Sequence, residues 1–257
     1  MLPLQAYRLR KTLRQLQDCD VDVIVYAGQS NAMGFGVGNP ELSYQPREDI
    51  LLYYRNKITV ATERVINRHD HRAIFALTFA EKYAEEMHDS GHKILLIGTA
   101  VGGTSFSDHR WGLQDDLYRN ACTMTQTVLQ ALPKARLRCL LWHQGETDAT
   151  NLVTQEYYID KLRTLITDFR KKFGEDIPVL TGDYVPAWKA VTPNAQNIAD
   201  ATKQVVDSLP ACAFVSSDGL TGNPEPDGIH FDRKSLREFG LRYWNAYTTL
   251  RNDRQND

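Results

Sequence analysis

The chain has 257 residues, 42% of them hydrophobic and 24% charged, enough to fill one sizeable core in a single domain spanning 1–257. A formal net charge of −2 gives no electrostatic basis for a nucleic-acid or anionic-membrane partner. No apolar run approaches the roughly 20 residues that a membrane-spanning helix needs.

The chain begins "MLPLQAYRLRKTLRQLQDCD", basic and free of acids before Asp18. It lacks the uninterrupted apolar stretch and small-residue cleavage site of a secretory leader. Leu9, Leu13 and Leu16 fall on one helical face, which predicts a packed helix. A cytoplasmic location is the expectation, with secretion the alternative if a leader has been removed.

Strand-like runs follow at 21–28 ("VDVIVYAG"), 93–102, 137–145, 177–185 and 212–219. Between them Ile74, Leu77, Ala80, Ala84 and Met87 repeat at helical spacing with Gly91 as a stop, and similar patterns cover 115–132, 154–173, 194–209 and 233–250. The strand runs are nearly continuous Val, Ile and Leu, as in strands covered on both faces. The expected fold is therefore α/β, a three-layer α/β/α sandwich around a mostly parallel sheet. Residues 50–63 depart from the pattern and read as a peripheral hairpin or extra strand pair.

The four cysteines, Cys19, Cys122, Cys139 and Cys212, are widely spaced and read as buried free thiols. His69 and His71 flank Asp70, and His88 precedes His92, but no HExxH or Cys/His cluster accompanies them. No metal is expected at these histidines. No glycine-rich phosphate loop is present, so no nucleotide cofactor is expected either.

In an open parallel sheet, ligands gather at the carboxyl ends of the strands. The ends here are small and polar: Gly28-Gln29-Ser30-Asn31, Gly102-Gly103-Thr104-Ser105, His143-Gln144-Gly145-Glu146-Thr147-Asp148, and a late loop with Asp227 and His230 three residues apart. A serine after a strand is often a helix cap, and a glycine pair often a turn. Four such groups at successive strand ends supply a nucleophile, close-approach backbone, amides, carboxylates and an Asp-His pair, which together indicate catalysis.

The motifs "GQSNAMG", "GGTS", "WHQGETD" and "DGIH", in that order from Gly28 to His230, resemble the SGNH (GDSL-like) hydrolase superfamily, and within it the sialate O-acetylesterase and acetylxylan esterase type of carbohydrate esterase. The resemblance implies that superfamily's flavodoxin-like sandwich, with Ser30 as nucleophile, His230 as general base and Asp227 orienting the imidazole. It implies an oxyanion hole of the Ser30 N–H, an N–H from Gly102 or Gly103, and the Gln144 amide, with Gly102 slightly preferred. Asn31, His143 and Glu146 would support these groups, and Trp111, Trp188 and Tyr184 are candidates for holding a sugar ring.

The implied reaction removes acetyl or another short acyl group from an acetylated carbohydrate, without a cofactor. The sugar stays open between sialic acid and plant-polysaccharide sugars. An esterase for lipids or general short-chain esters, and a non-catalytic carbohydrate-binding protein, are the alternatives. The sequence does not give an oligomeric state.

Overall fold

The computed structural model describes residues 3–67, 70–87 and 91–253. A helix, α1 (Pro3–Gln15), leads into β1 (Val21–Gly28) and a single-turn helix, α2 (Ser30–Met33). A hairpin of β2 (Ile50–Tyr54) and β3 (Lys57–Val60) follows, then a two-stranded ribbon of β4 (Arg64–Asn67) and β5 (Asp70–Arg72). Next come α3 (Phe75–Met87), β6 (Lys93–Gly98), α4 (Asp116–Ala131), β7 (Ala135–His143), α5 (Glu146–Thr150) and α6 (Gln155–Phe173). The chain closes with β8 (Val179–Gly182), α7 (Pro186–Val191), α8 (Ala195–Asp207), β9 (Cys212–Val215) and α9 (Arg233–Asp253).

The main sheet has seven strands in the order β3-β2-β6-β1-β7-β8-β9, and all its pairings are parallel except β2 with β3. Alternation along β1 divides the core. Val21, Val23, Val25 and Ala27 pack with Leu9 and Leu13 of α1 and with the buried faces of α4, α6 and α8. Ile24 and Tyr26 point the other way, toward Phe75 and Phe79 of α3 and Phe239 and Tyr243 of α9. Both sheet faces are covered, which is why the strand runs read as unbroken apolar sequence.

The 50–63 segment is a hairpin, but its first strand is not peripheral: β2 continues the parallel sheet beside β6, and only β3 turns back to form the edge. Arg55 and Asn56 make that two-residue turn with φ of 47° and 61°. The run at 93–102 leaves the sheet after Gly98, though Thr99 and Val101 still donate to the Tyr26 and Gly28 carbonyls at 3.0 Å. The helix after Ile74 ends at Met87, and Gly91, the expected stop, lies beyond three residues outside the described set. All four cysteines are free thiols; Cys139 is buried and the other three are partly exposed.

The chain leaves β1 for one side of the sheet and crosses to the other between β6 and β7. This reversal opens a crevice at the carboxyl ends of β1, β6 and β7.

Candidate active site

The Gly28–Gln29 turn follows β1 directly. Gly28 has φ +123°, and a Cβ there would fall 1.9 Å from the His143 carbonyl oxygen, so the position demands glycine. That carbonyl accepts the Gln29 N–H at 2.9 Å and fastens the ends of β1 and β7 together. Ser30 then opens α2 and is buried. A Cβ added to Gly102 would lie 3.7 Å from Ser30 Cβ, whereas Gly103 (φ +68°) faces open space. The N–H groups of Ser30, Gly102 and Gly103 donate to no backbone acceptor among the described residues.

Asn31 ties this turn to the late loop. Its Nδ2 donates to the Ile229 carbonyl at 3.1 Å, and its Oδ1 accepts the Phe231 N–H at 3.0 Å, so the neighbour of Ser30 grips both residues flanking His230. The same Nδ2 donates to Glu146 Oε1 at 2.7 Å. Glu146 is fully buried, and its Oε2 has no partner among the described residues. His143, also fully buried, donates through Nε2 to the Asp183 carbonyl (3.0 Å) and sets Nδ1 3.5 Å from Glu146 Oε1.

His230 Nδ1 donates to Asp227 Oδ1 at 2.5 Å, which leaves Nε2 as the basic nitrogen. Phe35 stacks on the imidazole with ring centroids 4.4 Å apart and planes inclined by 15°. Asn223 Nδ2 donates to the outer Asp227 oxygen at 3.0 Å. Sequence reasoning missed Phe35 and Asn223, since nothing local marks residues that meet only through tertiary approach.

Gln144 stands differently from the expectation. Its Nε2 donates to Asp148 Oδ2 at 2.7 Å and to the Thr104 carbonyl and Gln29 Oε1 at 3.3 and 3.4 Å, while its Oε1 accepts from the Tyr158 hydroxyl. Two amide protons facing three internal acceptors leave none for an oxyanion, so the side chain is a strut. Asp148 completes it by accepting the Phe106 and Ser107 N–H groups at 3.0 Å, which fixes the loop after the glycine pair. Burial pushes the Asp148 carboxyl up, against the pull of these donors. Its place on α5, four residues after Gln144, is the signal that could have found it.

Two of the three aromatic candidates are core. Trp111 is fully buried with its indole N–H on Thr104 Oγ1 at 2.9 Å, and Tyr184 is fully buried with its hydroxyl on the Gln144 carbonyl. Trp188 of α7 is partly buried against the Tyr184 ring edge. Of the histidine groups weighed as ligands, His69 and His88 lie outside the described residues, and Asp70 is bound to Arg72.

A cavity of about 590 Å³ adjoins the site, bounded by Met33 and Ala100 on the side of Ser30 and by Arg55, Lys57, Glu63 and Arg64. Glu63 is taken by the buried Arg233 guanidinium. Arg55, Lys57 and Arg64 form no ion pair among the described residues. The Arg64 guanidinium lies 4.4 Å above the Phe35 ring, and burial holds its pKa below the usual guanidinium value.

Residues 20–249 match the model of the family described as carbohydrate esterase, sialic acid-specific acetylesterase. The chain belongs to that family. This esterase is accordingly a carboxylic ester hydrolase of the carbohydrate acetylesterase type. Its fold is similar to that of NanS, with a TM-score of 0.77 and 20% identity over 91% of this chain and 99% of that one. A protein from Arabidopsis thaliana gives a TM-score of 0.74 and 19% identity over 89% of this esterase and 98% of the other chain. A carbohydrate acetylesterase from Xanthomonas citri gives 0.64 and 18% over 89% of this esterase and 56% of the other chain. The sandwich is thus the SGNH fold that the motifs implied.

Proposed function

We propose that this esterase removes O-acetyl groups from carbohydrates through a Ser30–His230–Asp227 triad and an acetyl-enzyme. The observation that carries the reading is Asn31, which joins the turn of Ser30 to both flanks of His230 while Asp227 takes the Nδ1 proton. Ser30 Oγ attacks the acetyl carbonyl carbon and gives its proton to His230 Nε2. The oxyanion accepts from the Ser30 and Gly102 N–H groups. The C–O bond to the sugar then breaks, His230 returns the proton to the departing sugar oxygen, and water repeats the sequence to release acetate and free Ser30.

The substrate reading is an acidic sugar, of the kind the family description names. Arg55, Lys57 and Arg64, which form no ion pair among the described residues, line the cavity that reaches Met33 of the Ser30 helix, and an anion there would gain from them.

Acetate release from acetylated sugars tests both statements. Ser30→Ala is expected to lower kcat by about ten-thousand-fold or more with the melting temperature retained; near-normal turnover would remove Ser30 from the mechanism. Arg64→Gln is expected to raise KM for an O-acetylated sugar carrying a carboxylate by about tenfold, the order expected for one charge-assisted hydrogen bond, and to leave a neutral acetylated sugar unchanged. Equal effects on both sugars would remove the charge preference.

A further inference from the structure

Asn223 is buried on the loop before Asp227, and its backbone N–H and both side-chain polar atoms are engaged. Its backbone N–H donates to the His230 carbonyl at 2.7 Å. Its side-chain Oδ1 accepts the Val37 N–H at 3.0 Å. Its Nδ2 donates to the Phe35 carbonyl at 2.9 Å and to Asp227 Oδ2 at 3.0 Å. The partners fix the amide orientation without ambiguity, because Val37 offers only a donor and the Phe35 carbonyl and the carboxylate only acceptors.

We propose that Asn223 is a positioning residue for the esterase reaction, acting through Asp227, and that it locks the Asp227–His230 pair to the 35–37 segment that follows the Ser30 helix. The inference rests on the triad reading above. Asp227 is more exposed than His230, with 36% of its side-chain surface accessible against 16%, and carries only one bond to the imidazole. A carboxylate held at one oxygen alone rotates about its terminal torsion, which is broad. The Asn223 amide holds the second oxygen and thereby selects the rotamer that keeps Oδ1 on Nδ1. The Phe35 ring presses the imidazole from one face, and its carbonyl accepts from Asn223, so one side chain aligns both members of the pair. Arg72 Nη1 also reaches the Phe35 carbonyl, at 3.4 Å, from the β4–β5 ribbon.

The test is a double-mutant cycle with kcat and KM measured separately on an O-acetylated sugar. Asn223→Asp keeps the size of the side chain and the acceptor for Val37, but removes both N–H bonds and sets a carboxylate against Asp227. It is expected to lower kcat about ten- to a hundredfold with KM within about twofold, as misplacement of a reacting group does. In an Asp227→Asn background the same change is expected to cost less than about twofold, because its route of action is already gone. Asn223→Ala, which also loses the Val37 bond, serves as the stability control, read by melting temperature. Losses that multiply with those of Asp227→Asn, a kcat unaffected by Asn223→Asp, or a rise in KM instead of a fall in kcat would overturn the role of Asn223 while leaving the triad standing. If Asp227→Asn alone is fully active, it is the triad reading that fails.

Discussion

The two ends of the parallel sheet each bury a carboxylate between β1 and β7, and they treat it in opposite ways. At the amino end, Asp22 accepts from the Tyr83 hydroxyl at 2.8 Å and from Arg138 Nε at 2.6 Å. Arg138 is the extra residue where the β1–β7 register shifts, between Leu137 and Cys139, so the ladder itself bends to supply the cation. At the carboxyl end, Glu146 has, among the described residues, only an amide proton from Asn31 and a ring nitrogen at 3.5 Å, with one oxygen unpartnered. A buried charge matched by a cation and a hydroxyl is framework. One left short of partners costs stability and persists where it holds something else in place. Here it holds Asn31, and Asn31 holds the loop of His230.

The strongest way to break this contrast is Asn31→Ala. Removing the amide strips Glu146 of its short bond and releases both flanks of His230, so kcat is expected to fall about a hundredfold, with the fold retained at a stability cost of about 1–3 kcal/mol. Full activity in a folded variant would mean that the two halves of the site stand without it. At the other end Asp22→Ala is expected to cost a similar 1–3 kcal/mol or so by denaturant unfolding, through the stranded Arg138 and Tyr83, with kcat within about twofold of the parent. A large loss of activity there would show that the amino end communicates with the crevice.

The smallest effect belongs to a surface pair at neither end. Arg110 hydrogen-bonds Asp116 at 2.7 Å and holds its carboxyl below the usual range, against a small opposing effect of burial. A carboxyl depressed in the folded state contributes stability above its unfolded pKa of about 3.9, and that contribution is lost as pH falls through the folded value. Asp116→Asn is expected to flatten the decline of melting temperature below about pH 4 slightly and to leave activity untouched. A marked loss at neutral pH would give this exposed pair a larger part than its solvation allows.

Most of the sheet was legible because Val, Ile and Leu do not run unbroken through residues 23–25 or 94–97 unless both faces are covered. The ends of the runs were less so. Thr99, Ala100 and residues 183–185 are as buried as the strands although the ladder has stopped, and hydrophobicity alone does not record where hydrogen bonding ends. In the site, Asp227 and His230 were readable because three residues in one loop suffice to pair them. Gln144 was misread because its type suits an oxyanion donor equally well. Only Asp148, four residues on, decides which way the amide faces. Trp111 and Tyr184 sit in loops, yet those loops are the core's own lid. Asn223, Phe35 and Arg64 carried no signal, since their partners come from other segments of the chain.

The bond from the Phe231 N–H to Asn31 joins residues 200 positions apart, and that from Asn31 to Glu146 spans 115. The Ser30 turn and the His230 loop are thus joined by some of the most distant contacts in the chain, the last kind to be gained when loops must close before they are rewarded. As the polypeptide emerges from its amino end, the turn bearing Ser30 is complete long before the loop bearing His230 exists. On the proposed triad, turnover is therefore a reporter of the finished topology: a folding intermediate that has built β1, β6 and β7 but not docked the final loop holds Ser30 apart from His230 while the rest of the molecule is still being made.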